Sequence, residues 1–342
     1  MHFRLMLGIT ALACSLPFYG EADAQPAPDQ GSSVEAMASI QEEPAPTKAR
    51  KLNILIAAGR VSQEHDNENR TFRFHSNLLT TVLEDTGRFR VRVIEDFDAI
   101  GTEMLEGYDA VIISREGRDN YVEPAEGVGP RVDQALIQFV KDKGKGIVWF
   151  HSSSVQEEDW GWPDEYNKIR GGSVSADDGL RRAPTLDFIG QVDTTAHPIT
   201  EGLLPEIFFT GDDFLVGARV FPGAKVLMTV NDDIEWYRRA DWPNKATVPV
   251  PQGDITQLPN IGKPQPVAWI NEYGRGRAFT IMPGHDVDTF RRLDYLVLLA
   301  RGVEWAASGD VTLPRPDILG PNRFTPWPFF NGPDDHESRW GD

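Results

Sequence analysis

In Lys143-Gly-Lys-Gly-Ile-Val-Trp-Phe-His-Ser-Ser-Ser154, a glycine-marked turn feeds a short apolar run that stops abruptly on a histidine and three serines. The preceding residues, Pro130 to Lys143, carry Val132, Leu136, Ile137, Phe139 and Val140 at helical intervals. An apolar run of four residues after such a helix reads as a strand of a parallel sheet, buried on both faces. Open α/β sheets bind ligands just beyond the carboxyl ends of their strands. His151 and Ser152 therefore stand where this fold class keeps its chemistry.

The flanking chain repeats the alternation. Leu52 to Ala58 is an apolar strand ended by Gly59, and Phe72 to Thr86 has one apolar helical face closed by Gly87. Phe89 to Glu95 and Tyr108 to Ser114 are further strands. This β-α-β order implies a doubly wound, mainly parallel sheet with helices on both faces and right-handed crossovers. The second half is less regular. Strands are expected at Thr185 to Val192, Ile207 to Phe209 and Ala224 to Val230, with a hairpin from Pro266 to Met282. A final helix runs from Phe290 to Ala307, while Trp160 to Gly172 and the Pro-rich Trp236 to Pro266 read as long loops.

The ends are a different matter. Arg4, the apolar Leu5 to Leu16 and Ala22-Asp23-Ala24 have the form of an export signal covering residues 1–24, too short to span a bilayer. The alternative, a lipoprotein signal at Cys14, is weakened by Ala11 three positions before it. Residues 25–50 have linker composition, 51–308 form the domain, and 309–342 are a tail rich in Pro and aromatics. The expectation is an exported protein, periplasmic or extracellular, with no transmembrane segment after processing. Cys14 is the only cysteine, so cleavage after Ala24 leaves no thiolate nucleophile and no disulfide. A net charge of -18 argues against nucleic acid as a partner, because phosphate binding demands basic surface.

Five histidines fall in the domain: His65, His75, His151, His197 and His285. Imidazoles converging with carboxylates such as Asp212 and Asp213 suit a divalent metal such as Zn, and equally suit metal-free acid–base chemistry. All five are candidate metal ligands, with His151, His285 and Asp213 as candidate catalytic residues. Each has a plainer reading. His151 could fill a vestigial pocket, His197 before Pro198 could cap a turn, and His75 could pack beside an apolar helix face. One of Asp212 and Asp213 could cap a turn. Ser152, Asp212, His197 and the loop aromatics Trp160 and Trp162 are candidate saccharide contacts, since aromatic faces stack on sugar C–H surfaces. Arg181-Arg182 reads as solvated charge, or as recognition of an anionic or keto-bearing substrate.

Taken together and in order, several segments resemble the ThuA (trehalose-utilisation) family. They are Leu83-Glu-Asp-Thr-Gly-Arg-Phe89, Val148-Trp-Phe-His-Ser152, Gly171-Gly172, His197-Pro-Ile-Thr200, Asp212-Asp-Phe214, Pro266-Val-Ala-Trp269 and Gly274-Arg-Gly-Arg277, leading into Pro283-Gly-His285. The resemblance implies a flavodoxin-like fold of the class I glutamine amidotransferase type and a part in carbohydrate catabolism. In amidotransferases the strand equivalent to the one ending at His151 ends instead in a cysteine on a tight elbow, so glutamine hydrolysis is excluded here. Two features depart from the family pattern: no histidine follows Gly172 closely, and Phe214-Leu215 stands where Leu-Tyr is usual. His65 and His75 both fit the family's first-loop histidine. The resemblance points to a saccharide-processing enzyme, acting on a disaccharide or 3-keto sugar. The alternative is a non-catalytic carbohydrate-binding module on the same scaffold.

Overall fold

The computed structural model describes residues 50–59, 72–115, 128–154, 162–175, 178–184, 186–238 and 254–314. The expected leader, linker and tail beyond 314, together with His65 and Trp160, lie outside the described residues.

The chain opens with β1 (Leu52–Ala58), α1 (Phe72–Asp85), β2 (Phe89–Ile94), α2 (Thr102–Leu105), β3 (Ala110–Ser114), α3 (Val128–Lys141) and β4 (Gly146–Phe150). Each expected strand and helix of this half is present within one or two residues of its expected bounds. β2 alternates as its sequence does, with Phe89 and Val91 inward and Arg90 and Arg92 outward, because it is an edge strand with one wet face. β3 and β4 are buried along their whole length.

The second half contains α4 (Glu165–Arg170), β5 (Gly172–Val174), β6 (Arg181–Arg182), β7 (Leu186–Val192), β8 (Glu206–Asp212), β9 (Leu215–Val216), β10 (Ala218–Val220) and β11 (Lys225–Asn231). It closes with α5 (Ile234–Tyr237), the hairpin β12 (Pro264–Tyr273) and β13 (Gly276–Ile281), and α6 (Leu293–Ser308). The segment before Gly171-Gly172, expected as loop, is thus helical in its last turn and a half. Gly171 takes φ 72°, the left-handed cap that ends α4.

One nine-stranded sheet has the order β2-β1-β3-β4-β13-β12-β11-β7-β8. β2, β1, β3, β4 and β13 are parallel, and the remaining strands continue antiparallel. The expected α/β fold is present, and the parallel strands form its core half. Helices α1 and α6 pack on one face of that core and α3 and α4 on the other. Two small antiparallel ribbons, β5 with β10 and β6 with β9, sit outside the main sheet. Among the described residues no helix is long and apolar enough to cross a membrane.

Strand direction decides which residues can meet. β4 and β13 end at the same edge, and so does β8, after four direction reversals from β13. His151, His285 and the Asp212-Asp213 pair therefore share one edge. β7 runs the other way, so the turn that follows it, containing His197, lies at the opposite edge.

Candidate functional site

His151 is the first residue after β4 and has φ 48°, a left-handed conformation that costs a non-glycine residue about 1–2 kcal/mol. The strand turns there into a short 3-10 segment, His151–Ser154. The tight elbow implied by the resemblance is thus present, with an imidazole in place of a thiol. Its serines explain how the strain is held. Ser153 Oγ donates to the carbonyls of Ile113 and Phe150 at 2.7 and 2.9 Å, and Ser154 Oγ donates to that of His151 at 2.7 Å. Ser152 is 6% exposed and lies beside His151.

The imidazole of His151 is gripped at both nitrogens. Nδ1 is 2.8 Å from the Met282 carbonyl, and Nε2 is 3.1 Å from Nδ1 of His285. A carbonyl only accepts, so His151 Nδ1 carries the proton and Nε2 the lone pair. His285 Nδ1 then donates to it, and the lone pair of neutral His285 rests on its Nε2. Asp213 Oδ2 lies 3.9 Å from the same Nδ1 and accepts from Arg182 Nη1 at 3.1 Å. The result is a chain of Arg182, Asp213, His285 and His151.

The backbone of His285 is fixed from two sides. Its N–H donates to Asp212 Oδ1 at 2.9 Å, and its carbonyl accepts from His75 Nε2 at 2.9 Å. Asp212 also accepts from the amides of Asp213, Gly284 and Asp286 and from the Thr289 hydroxyl. One carboxylate at the end of β8 thereby ties down the loop after β13. Gly284 is required in that loop. At φ 132°, a Cβ would stand 2.6 Å from the Phe150 ring and 2.8 Å from the Tyr295 hydroxyl.

Charge follows burial and neighbours. His151 is pushed down to about 4 by burial, with His285 and Arg182 adding to the effect against Asp213, so it is neutral at pH 7. Burial resists ionisation of Asp213, but Arg182, His285 and His151 outweigh it and hold the carboxyl below its ordinary range. Asp212 is pushed up to about 7 by burial and by Asp213, against its hydrogen-bond donors. The site thus pairs a neutral buried imidazole with a buried carboxylate. Donor atoms of His151, Asp213 and His285 all lie within 4.8 Å of one another.

Other candidates are placed elsewhere. His197 stands at the opposite sheet edge with its ring against Trp305, centroids 5.2 Å apart, and its Nδ1 accepts from the Ile199 amide at 3.3 Å. It belongs to the turn, because β7 runs away from the site. His75 is buried among Phe290, Phe150 and His151, and with Nε2 donating to a carbonyl it supports His285 rather than joining the ligand set. Asp212, expected to touch substrate, is 0% exposed and saturated by backbone donors, so it acts as the turn cap. Trp162, expected to face a sugar, is 6% exposed and packs on Trp149 and Tyr166 with centroids 5.8 Å from each. It is core beneath β4, because α4 folds it against the sheet.

Arg181-Arg182 is not simply solvated charge. Arg181 is buried against Asp232 and Tyr237, while Arg182 pairs with Asp213. Alternation along β6 sends the two neighbours to opposite sides. Thr289 and the Met282 carbonyl escaped sequence reasoning, since a lone threonine and a main-chain oxygen leave no pattern. Trp236 is half-buried with its ring 5.9 Å from that of Phe214, the residue that follows the acidic pair in sequence.

A family model described as ThuA, trehalose utilisation, matches residues 53–306. Among solved structures, a ThuA-like protein of Parabacteroides merdae is 19% identical, with a TM-score of 0.59 over 80% of this chain and 96% of that one. A ThuA-like protein of Bacteroides uniformis is 18% identical, with a TM-score of 0.53 over 78% of this chain and 98% of that one. At these identities the two share the fold. No curated protein matches the sequence.

Proposed function

Because the chain belongs to the ThuA, trehalose-utilisation family, we propose that it acts on a saccharide in carbohydrate catabolism, at the cluster of His151, His285 and Asp213. The observation that carries this reading is the cluster at the edge where the parallel strands end, in which His285 is hydrogen-bonded to His151 and lies 3.9 Å from the Asp213 carboxylate. In it, His285 is the proton-transferring group. Its Nδ1–H donates to His151, so Nε2 is the nitrogen that takes a proton, and Asp213, 3.9 Å from Nδ1, stabilises the imidazolium so formed. His285 is the most solvent-exposed of the three, with 15% of its side chain accessible. This arrangement suits removal of a proton from a sugar hydroxyl, or from a carbon next to a keto group. The leader-like residues 1–24 support action outside the cytoplasm.

The test is a thermal-shift panel of disaccharides and their 3-keto derivatives, followed by turnover of the stabilising sugar. His285→Gln should cut turnover by ~10²-fold or more while leaving affinity within a few-fold, the loss typical of a missing acid–base group. No stabilisation by any sugar would overturn the reading. Unchanged turnover in His285→Gln would remove His285 from the chemistry. Binding without turnover in the wild type would favour a carbohydrate-binding module, a reading that the depth of His151 at 5% exposure also supports.

A further inference from the structure

We propose that His151 Nε2, His285 Nδ1 and one oxygen of Asp213 form a three-ligand site for a divalent first-row transition ion, with a further coordination position open on the side of His285. The site uses the same residues as the saccharide reading but rests on geometry alone.

The spacing of the donors suits an ion. Bonds of ~2.1 Å from nitrogen and oxygen to a tetrahedral ion place neighbouring ligand atoms roughly 3.4 Å apart. Two of the separations bracket that value: 3.1 Å between the imidazoles, and 3.9 Å from His285 Nδ1 to Asp213 Oδ2, the oxygen that also accepts from Arg182. All three donors fall within 4.8 Å of one another, so small side-chain adjustments close the set.

Their orientation suits it too. A ligating histidine usually donates its other ring N–H to a carbonyl or carboxylate, which fixes the ring and its tautomer. His151 already does so, with Nδ1 on the Met282 carbonyl and Nε2 turned to the shared space. The two structures that carry the other ligands are also fixed in advance. Asp212 and His75 clamp the backbone of His285, and Arg182 holds one oxygen of Asp213.

An unsatisfied group points the same way. Asp213 Oδ1 is buried and has no hydrogen-bond partner among the described residues, in a side chain only 1% exposed. A buried carboxylate oxygen left unpaired is expensive, by about 1–3 kcal/mol or more for a charged group. A cation bound by this carboxylate offsets that cost. A histidine pair with one carboxylate selects zinc or a neighbouring transition ion over calcium or magnesium, which prefer sets made of oxygen alone. On binding, His285 moves its proton from Nδ1 to Nε2 and presents Nδ1 to the ion. No covalent bond is otherwise made or broken.

The experiment uses the full chain, purified without a polyhistidine tag or chelator. Bound metals are measured by elemental analysis, and Zn²⁺ and Co²⁺ are then titrated into chelator-stripped protein by calorimetry and visible absorption. One equivalent should bind, with Co²⁺ developing the intense bands of a low-coordinate nitrogen–oxygen site. His151→Asn, His285→Gln and Asp213→Asn should each weaken Zn²⁺ binding by 100-fold or more, and His197→Ala should leave it unchanged. Circular dichroism confirms that each variant is folded. Should Asp213→Asn fail to fold, the two histidine variants decide the matter.

The proposal is overturned if stripped wild type binds no Zn²⁺ at micromolar concentrations, or if binding survives loss of either histidine. It is also overturned if His197→Ala is the variant that removes it. Sugar turnover by wild type that binds no Zn²⁺ would refute the metal site and leave the saccharide reading intact. Stoichiometric metal without any sugar response would do the reverse.

Discussion

His151→Asn reports directly on the buried neutral imidazole at the elbow. Asparagine tolerates the left-handed φ of 48° at this position, and its side-chain amide can still donate to the Met282 carbonyl. What it removes is titration. The unfolded chain takes up a proton on His151 near the ordinary value of about 6.5, whereas the folded protein does so only near 4. Between those values the unfolded state holds more protons. The contribution of His151 is therefore fully present above about pH 6.5 and is lost as pH falls toward 4. Each pH unit is worth about 1.4 kcal/mol, so the full span amounts to about 3 kcal/mol, of which about 2 kcal/mol is lost between pH 7 and pH 5. Urea unfolding of metal-stripped wild type and His151→Asn at pH 7, 6 and 5 measures this. The stability of the wild type relative to the variant should fall by about 2 kcal/mol over that interval. A relative stability that stays flat across it would mean that His151 is solvated or protonated in the native state. The tautomer assigned to His285 would fall with it.

Three more outcomes rest on the same contacts. Asp212→Ala orphans five donors and should lower stability by about 4 kcal/mol or more, while Asp212→Asn, which keeps the three contacts to Oδ1, should cost about 1–3 kcal/mol. Equal melting temperatures for the two variants would refute the clamp. His197→Ala removes a ring packed on Trp305 far from the site, so it should cost about 1 kcal/mol in urea unfolding and leave any sugar-induced thermal shift unchanged. Glu304 is fully buried, and although burial opposes its charge, donors from Arg88, Thr312 and Leu313 keep its carboxyl below the ordinary range. Glu304→Gln should cost about 1–3 kcal/mol at pH 7, and because a depressed carboxyl stabilises only while ionised, the gap to wild type should narrow below about pH 4 in acid titrations of stability.

The sequence by itself determined the parallel half of the sheet. There the signal is local: runs such as Leu52 to Ala58 and Ile147 to Phe150 are apolar because both faces of the strand are covered, and the intervening helices repeat every 3.6 residues. It also placed His151 at a strand end and left residues 51–308 without a cysteine. The tertiary structure decided which histidines meet. His197 precedes Pro198 and His285 follows Pro283-Gly284, both in loops, and nothing local separates them. Only the direction of β7 against β13 sends one to each edge of the sheet. The division of labour between Asp212 and Asp213 was likewise hidden. Neighbours along an extended chain point to opposite sides, so one faces the amides of the 284–286 loop and the other faces Arg182 and His285. Trp162 and Trp236 are both tryptophans in irregular sequence, and packing alone makes one core and leaves the other half-buried against Phe214. Burial and long-range hydrogen bonds depend on where distant segments come to rest, and that is set by the sheet order rather than by any single stretch of chain.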